Sequence, residues 1–248
     1  MLIEPTLDKL RAMRLLAMAD TWVEQSNDPD MASLSFEERF GFLVDAEHLA
    51  RHNRKLKRLL TQAKLRDSNA CIEDLDCSKS RGIVKATARQ LATCRWLTDR
   101  LNVVVTGATG VGKTYVACAL GNQACRNGYR VLYRRVPRLC NELTLARADG
   151  TLVRLLAKFA KMDLIILDDW GLAPLSQVHR LDLLEILEDR DGTRSTLVTS
   201  QLPPDKWHDH IGDPTVADAI LDRIVHRAYT IDLKGPSRRG KEKTKTSA

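Results

Sequence analysis

The sequence contains no apolar run near the ~20 residues that a helical membrane span requires, so no membrane partner is expected. It also lacks a CxxC pair. Its six cysteines, Cys71, Cys77, Cys94, Cys118, Cys125 and Cys140, have no histidine pair at ligand spacing beside them. Reduced thiols used for packing are expected, rather than disulfides or zinc. The opening "MLIEPTLDKLRAMR" lacks the charged-then-apolar order of a secretory signal, and a cytoplasmic location is the expectation. There is no internal repeat and no zinc finger or other base-reading motif.

One further absence is local. Residues 51–66, "RHNRKLKRLLTQAKLR", hold seven Lys/Arg and no acid. Residues 234–248, "KGPSRRGKEKTKTSA", hold six Lys/Arg and one acid. The formal net charge is +7, and without these two stretches the balance turns negative. Positive charge localised in this way suits a phosphate backbone. Arg54, Lys55, Lys57 and Arg58 are candidate DNA contacts in the first stretch; a solvated helix face is the alternative. The second stretch reads as a basic low-complexity tail.

What is present fits a globular protein. Hydrophobic residues make up 44% of the 248 and charged ones 29%, which suits a moderate α/β domain with a smaller appendage. Residues 6–25 carry Leu7, Leu10, Met13 and Ala17 at helical spacing. Ser35 and Glu38 form a capping box for a second helix that runs into the basic stretch. Residues 1–75 therefore read as a helical domain for partner or DNA contact. "DSNACIEDLDCSKSRG" reads as a linker, and "ATARQLATCRWL" as one more helix.

From residue 101 the rhythm changes. Five strand-like runs, "LNVVVTG", "RVLYRRV", "DLIILDD", "STLVTSQ" and "AYTIDL", alternate with amphipathic segments. Gly128 marks a helix end, and Pro137 opens the next helix. Thr151 and Ser176 are candidate caps, and Asp213-Pro214 has the cap-then-proline order. A five-stranded parallel sheet covered on both faces is predicted over 76–233, with a basic tail over 234–248.

The chemistry centres on Gly107-Ala108-Thr109-Gly110-Val111-Gly112-Lys113-Thr114, which fits GxxxxGK[ST] between a strand and a helix. Glycines let backbone N–H groups turn onto phosphate oxygens, and the helix adds its positive end. Lys113 reaches the β- and γ-phosphates of ATP, and Thr114 ligates Mg2+. Tyr115, next in line, is grouped with the nucleotide contacts. Asp168 ends a buried strand and is the second magnesium candidate. Asp169 is then placed to orient or deprotonate the attacking water. Ser200 and Gln201 can sense the γ-phosphate or cap their strand end. Arg223 can pair with Asp222 or solvent, or reach a neighbouring subunit's γ-phosphate.

These segments together resemble the IstB-like AAA+ ATPases, transposition helpers of bacterial insertion sequences related to the DnaC helicase loader. The resemblance rests on "LSFEERFGFLVDAE", "GATGVGKTYVACALGNQACRNGY", "DLIILDDWG", "VTSQLP", "GDPTVADAILDRIVHRA" and "LKGPSRR" in series. It implies an AAA+ P-loop fold and an ATP-bound homo-oligomer sharing its ATP sites between subunits. It further implies binding and bending of duplex target DNA and delivery of that DNA to an IstA-type transposase. Ser200 and Gln201 fall in the sensor I region, where many relatives have Asn at the second position. Arg223 falls at the arginine-finger position, and Arg239 matches a family motif of unassigned role. Many AAA+ proteins carry Glu where this chain has Asp169, so slow, DNA- and transposase-regulated ATP hydrolysis is expected. Arg134, Arg135 and Arg138 lie where AAA+ rings face their channel, and phosphate contacts there imply target choice by bendability. A replicative helicase loader is the runner-up. A small-molecule kinase and a catalytically silent nucleotide switch are the readings from other classes.

Overall fold

The computed structural model describes residues 3–238; Arg239 and the rest of the basic tail lie outside the described residues. The chain forms two compact units, Met1–Arg58 and Leu59–Ala248.

In the first unit, α1 (Ile3–Ala12) and α2 (Leu16–Asn27) replace the single helix expected over 6–25. The break is a left-handed C-terminal cap. Arg14 sits at φ 59, its N–H bonds Arg11 O at 2.9 Å, and Leu15 N–H bonds Leu10 O at 2.9 Å. A glycine normally marks such a cap; here an arginine occupies it, and the helical periodicity runs on across it. A 3-10 turn (Pro29–Ser33) leads to α3 (Phe36–Ala63). The capping box forms in both directions: Ser35 N donates to Glu38 at 2.8 Å and Glu38 N to Ser35 Oγ at 3.2 Å.

Glu47 of α3 is buried and caps α2, accepting from Ala17 N at 2.9 Å and Met18 N at 3.3 Å. Arg51 and Arg54 close on it at 2.8 and 3.0 Å. Burial pushes the Glu47 carboxyl up, but the Arg51 bond and the two amides outweigh it and hold it below its ordinary value.

The second unit starts before the expected linker. Leu59, Ala63 and Ala70 are buried. Ser68 O accepts from Asn122 at 2.8 Å, and Cys71 N donates to Tyr115 at 3.4 Å. Residues 59–75 thus pack with the second unit, not with the helical one to which the sequence reading assigned them. Next come α4 (Lys85–Ala92) and α5 (Arg95–Thr98), split at Cys94, which lies at φ 56. The order continues β1 (Asn102–Gly107), α6 (Lys113–Arg126), β2 (Val131–Arg135), α7 (Val136–Ala148), α8 (Leu152–Ala160) and β3 (Leu164–Trp170). It closes with α9 (Gln177–Glu188), β4 (Ser195–Ser200), α10 (Trp207–Ile211), α11 (Pro214–Val225) and β5 (Ala228–Leu233).

All five strands are parallel, in the order β2-β3-β4-β1-β5. Val103–Val105 and Leu164–Leu167 are buried, as expected of strands covered on both faces. Ser176 and Asp213 cap α9 and α11 by accepting from His179 N and Val216 N. Thr151 does not cap α8; its hydroxyl turns back to Asp149 at 2.5 Å. Among the described residues no helix is long and apolar enough to cross a membrane. All six cysteines are free thiols, and Cys71 and Cys77 are the two that are half-buried. Burial pushes the thiols of Cys94, Cys118 and Cys140 up to about 11 and that of Cys125 up to about 12.

Gly82 joins the linker to β5. Its φ is +79, and a Cβ there would lie 1.8 Å from the Asp232 backbone oxygen. Gly82→Ala is therefore expected to cost at least about 2 kcal/mol, since left-handed strain alone is worth ~1–2. Urea denaturation of the two proteins checks this.

Candidate functional site

The phosphate-binding loop spans the gap between β1 and α6. Gly107, at φ +139, passes so close to β5 that a Cβ would meet Leu233 O at 2.3 Å. Gly112 is the N-cap of α6, at φ 104. Both conformations exclude a side chain. Lys113 is nearly buried, and its Nζ donates to Gly107 O at 2.7 Å and Ala108 O at 2.9 Å. The ammonium is thereby held inside the loop, at the positive end of a 14-residue helix.

Behind the loop, Asp168 is fully buried at the end of β3. Three hydroxyls donate to it. Thr114 Oγ1 lies 3.0 and 3.1 Å from its two oxygens, Tyr133 Oη lies 2.5 Å from Oδ2, and Thr199 Oγ1 bonds Oδ1. Burial first, then the bond to Asp168, pushes the Tyr133 phenol far up, so it stays a donor. Among the described residues no group of three or more His, Cys, Asp or Glu is placed to hold a metal. The donor set suits a hard divalent cation held by one carboxylate, one hydroxyl, substrate phosphates and water.

Asp169 follows in a bulge. The β3–β4 register shifts between Leu167 and Trp170, and Asp169 sits at φ 61. Its N–H bonds Thr199 Oγ1 at 3.1 Å. The bulge turns consecutive carboxylates apart, Asp168 into the protein and Asp169 toward the cleft. Asp169 Oδ2 accepts from Arg135 Nε at 2.7 Å. Across the cleft, Gln201 Oε1 accepts from Thr109 Oγ1 at 2.8 Å.

The cleft measures about 520 Å3, with Thr109, Gly110, Gly112, Lys113, Thr114, Tyr115, Asp169 and Gln201 in its wall. A second cavity of about 620 Å3 adjoins it through Gly112, Tyr115 and Arg238 and adds the apolar Leu75, Ile83, Val116 and Leu233. A polar cleft at a helix N-terminus beside an apolar slot is the shape a nucleoside polyphosphate fills.

The comparisons agree with this geometry. The family model for the IstB-like ATP binding protein matches residues 8–246. The chain belongs to the IstB-like ATP-binding proteins. A Sinorhizobium fredii relative named as insertion sequence ATP-binding protein y4pL is 48% identical over 246 residues, covering 99% of this chain and 100% of the relative. The ATP-binding protein of insertion sequence IS1162 from Pseudomonas fluorescens is 49% identical over 203 residues, covering 82% and 88%. The crystal structure of DnaI is similar at TM-score 0.58 and 25% identity, covering 72% of this chain and 94% of that one. The fold is thus that of an AAA+ P-loop protein.

Within this IstB-like chain, not every expected residue reaches the cleft. Ser200 is buried; its hydroxyl donates to Trp170 O at 2.9 Å and accepts from Leu202 N at 3.0 Å. It caps the strand end, while Gln201 faces the cleft. Arg223 pairs neither with Asp222 nor with solvent alone. It bonds Glu188 at 2.6 Å and Ala219 O at 2.9 Å, away from this chain's cleft. Arg134 pairs with Glu142 at 2.7 Å, and Arg138 is exposed nearby. On α3, Arg54 is tied to Glu47, while Lys55, Lys57 and Arg58 are exposed.

Several cleft residues escaped the sequence reading. Tyr133 of β2 and Thr199 of β4 flank Asp168 of β3 behind the cleft; a polar side chain on the strand next to β3 was the available signal. Arg81 and Arg238 had none. Arg81 donates to Val111 O at 2.5 Å, and Arg238 N–H bonds Gly110 O at 2.9 Å. Both pair with Asp76.

Thr199→Val keeps the shape but removes the donor to Asp168 and the acceptor for Asp169 N–H. A loss of about 2–3 kcal/mol of stability is expected, because a buried carboxylate loses a partner. Thermal melts of wild type and variant test it.

Proposed function

We propose that this IstB-like chain is a magnesium-dependent ATPase that assembles on duplex DNA and presents that DNA to a transposase. The observation that supports it most is one cleft lined by Lys113, Thr114 and Asp169, with Asp168 buried behind Thr114, in a chain whose relatives are named for insertion sequences.

Each residue then has a role. Loop N–H groups and Lys113 bind the β- and γ-phosphates. Thr114 and Asp168 would hold a magnesium ion, which would neutralise phosphate charge. Asp169 takes one proton from the attacking water. As water oxygen bonds the γ-phosphorus, the bond from that phosphorus to the β–γ bridging oxygen breaks, and ADP and phosphate leave. Gln201, held by Thr109, contacts the γ-phosphate or the water. Tyr115 and the apolar slot hold the nucleoside. Arg223 acts in a neighbouring subunit's site, which makes hydrolysis depend on assembly. The cations on β2, α7 and α3 contact DNA backbone without reading bases.

A helicase loader is the second reading, favoured by the likeness to DnaI. Relatives at 48% identity over nearly the whole chain weigh more for the insertion-sequence role. Pull-down of a transposase against a replicative helicase separates the two.

The first test measures ATP turnover and particle size in the same samples, with and without duplex DNA. Larger particles that need both ATP and DNA, with altered turnover, are expected; a monomer indifferent to DNA overturns the reading. Asp169→Asn is expected to lower kcat by about 10²-fold or more with nucleotide binding retained. Unchanged turnover removes Asp169 from the chemistry.

A further inference from the structure

β1 and β5 run side by side and leave the sheet at the same end, in a register that pairs Gly107 with Leu233. Beyond that pair β1 becomes the phosphate-binding loop, and β5 continues into residues 234–238. The two segments are in contact. A Cβ on Gly110 would lie 2.2 Å from Ser237 Oγ. Arg238 N–H bonds Gly110 O at 2.9 Å. Next along the loop, Val111 O accepts from Arg81 Nη2 at 2.5 Å. Arg81 precedes α4, and its own carbonyl accepts from Lys234 N at 3.1 Å. Its guanidinium lies against the same segment, for a Cβ on Gly235 would fall 2.7 Å from Arg81 Nη1. Asp76 joins the pieces: it accepts from Arg238 Nη2 and lies 3.8 Å from Arg81 Nε. Stretches far apart in sequence thus meet on two adjacent carbonyls of the loop.

A trans peptide points its carbonyl and the following N–H in opposite directions. Holding Gly110 O and Val111 O from outside therefore turns Val111 N–H and Gly112 N–H the other way, into the loop. For Val111 the result is visible. Its N–H turns to Ala108 O at 3.5 Å, an inner carbonyl that Lys113 Nζ also holds. Inward N–H groups are what a phosphate oxygen requires. A loop rich in glycine can adopt this shape but loses much conformational freedom in keeping it. Two bonds on its outer side offset that loss. The Arg81 side chain is only 10% exposed, and a hydrogen bond from a guanidinium is stronger than one between neutral groups.

We propose that Arg81 and the backbone of Arg238 form an outer clamp that presets the phosphate-binding loop, so that nucleotide affinity depends on two segments outside the motif. Both are positioning residues. They act through the loop amides, and so on the β-phosphate those amides meet. The inference rests on this loop being the nucleotide site of the proposed ATPase.

The test measures Kd for ADP, ATP and AMP with magnesium, and kcat for ATP, in the full-length wild type and four variants. Arg81→Met removes the donors and keeps an apolar stem. It is expected to weaken ADP and ATP alike by about 10-fold or more, the worth of one charge-assisted hydrogen bond. AMP has no β-phosphate and is expected to bind as it does to wild type. The kcat at saturating ATP is expected to stay near the wild-type value. Arg81→Lys keeps one donor and is expected to recover part of the loss. Arg238→Pro deletes the N–H that holds Gly110 O and is expected to repeat the pattern. Arg238→Ala keeps that N–H and is expected to bind ADP much as wild type does. Equal weakening of AMP and ADP overturns the clamp, because it puts these side chains on the nucleoside; Arg81 and Arg238 both line the apolar slot. Wild-type ADP affinity in Arg238→Pro, or equal losses in Arg238→Pro and Arg238→Ala, overturns it as well. Thermal melts accompany the titrations, and if Arg81→Met does not fold, the two Arg238 variants decide. A wild type that binds neither ADP nor ATP overturns the nucleotide reading itself. A wild type that binds both, with variants that match it, overturns the clamp alone.

Discussion

A carboxylate with no access to water governs the second unit. Asp168 is fully buried, and an ionised group there is tolerated only if its lone pairs are satisfied. Hydroxyls from Thr114, Tyr133 and Thr199 donate to it. Those three residues belong to α6, β2 and β4, so one side chain on β3 ties the helix of the phosphate loop to both neighbouring strands. The sheet order that puts β3 between β2 and β4 is what brings the donors within reach. One carboxylate beside the Thr114 hydroxyl is a donor set suited to a hard divalent cation.

Much of this was legible from residue pattern. All five strands fall where the strand-like runs predict; β1 and β3, buried on both faces, carry continuous apolar sequence, whereas the edge strand β5 has exposed positions. Ser35, Ser176 and Asp213 cap their helices because each sits three residues before an orphan N–H. The failures have a common cause. Arg14 and Cys94 take left-handed conformations that glycine usually signals, and neither residue type announces it. Thr151 stands at a helix start, but Asp149 two residues earlier offers a stronger acceptor for its hydroxyl. The boundary near residue 75 missed because helical periodicity continues through α3, while the partners of its last turn lie far along the chain.

The site shows the same division. The phosphate loop is a contiguous motif, and its geometry follows from its glycines. Ser200 ends β4 and Gln201 follows it outside the strand; Ser200 bonds Trp170 and Gln201 bonds Thr109, partners that no local pattern names. Asp169 sits in a bulge that the motif does not announce. A non-glycine residue held at φ 61 beside a polar cleft is the kind of strained position that concentrates at functional sites.

The thiols bear on how this protein can be watched in solution. Cys94, Cys118, Cys125 and Cys140 are buried, and their raised proton affinity leaves almost no thiolate near neutral pH. Cys71 and Cys77 are the half-buried pair, and they bracket Asp74, Leu75 and Asp76 in the wall of the apolar slot. A maleimide dye would therefore attach beside the apolar slot with no engineered cysteine. The native sequence carries its own spectroscopic handle, placed where occupancy of the slot changes the surroundings of the label.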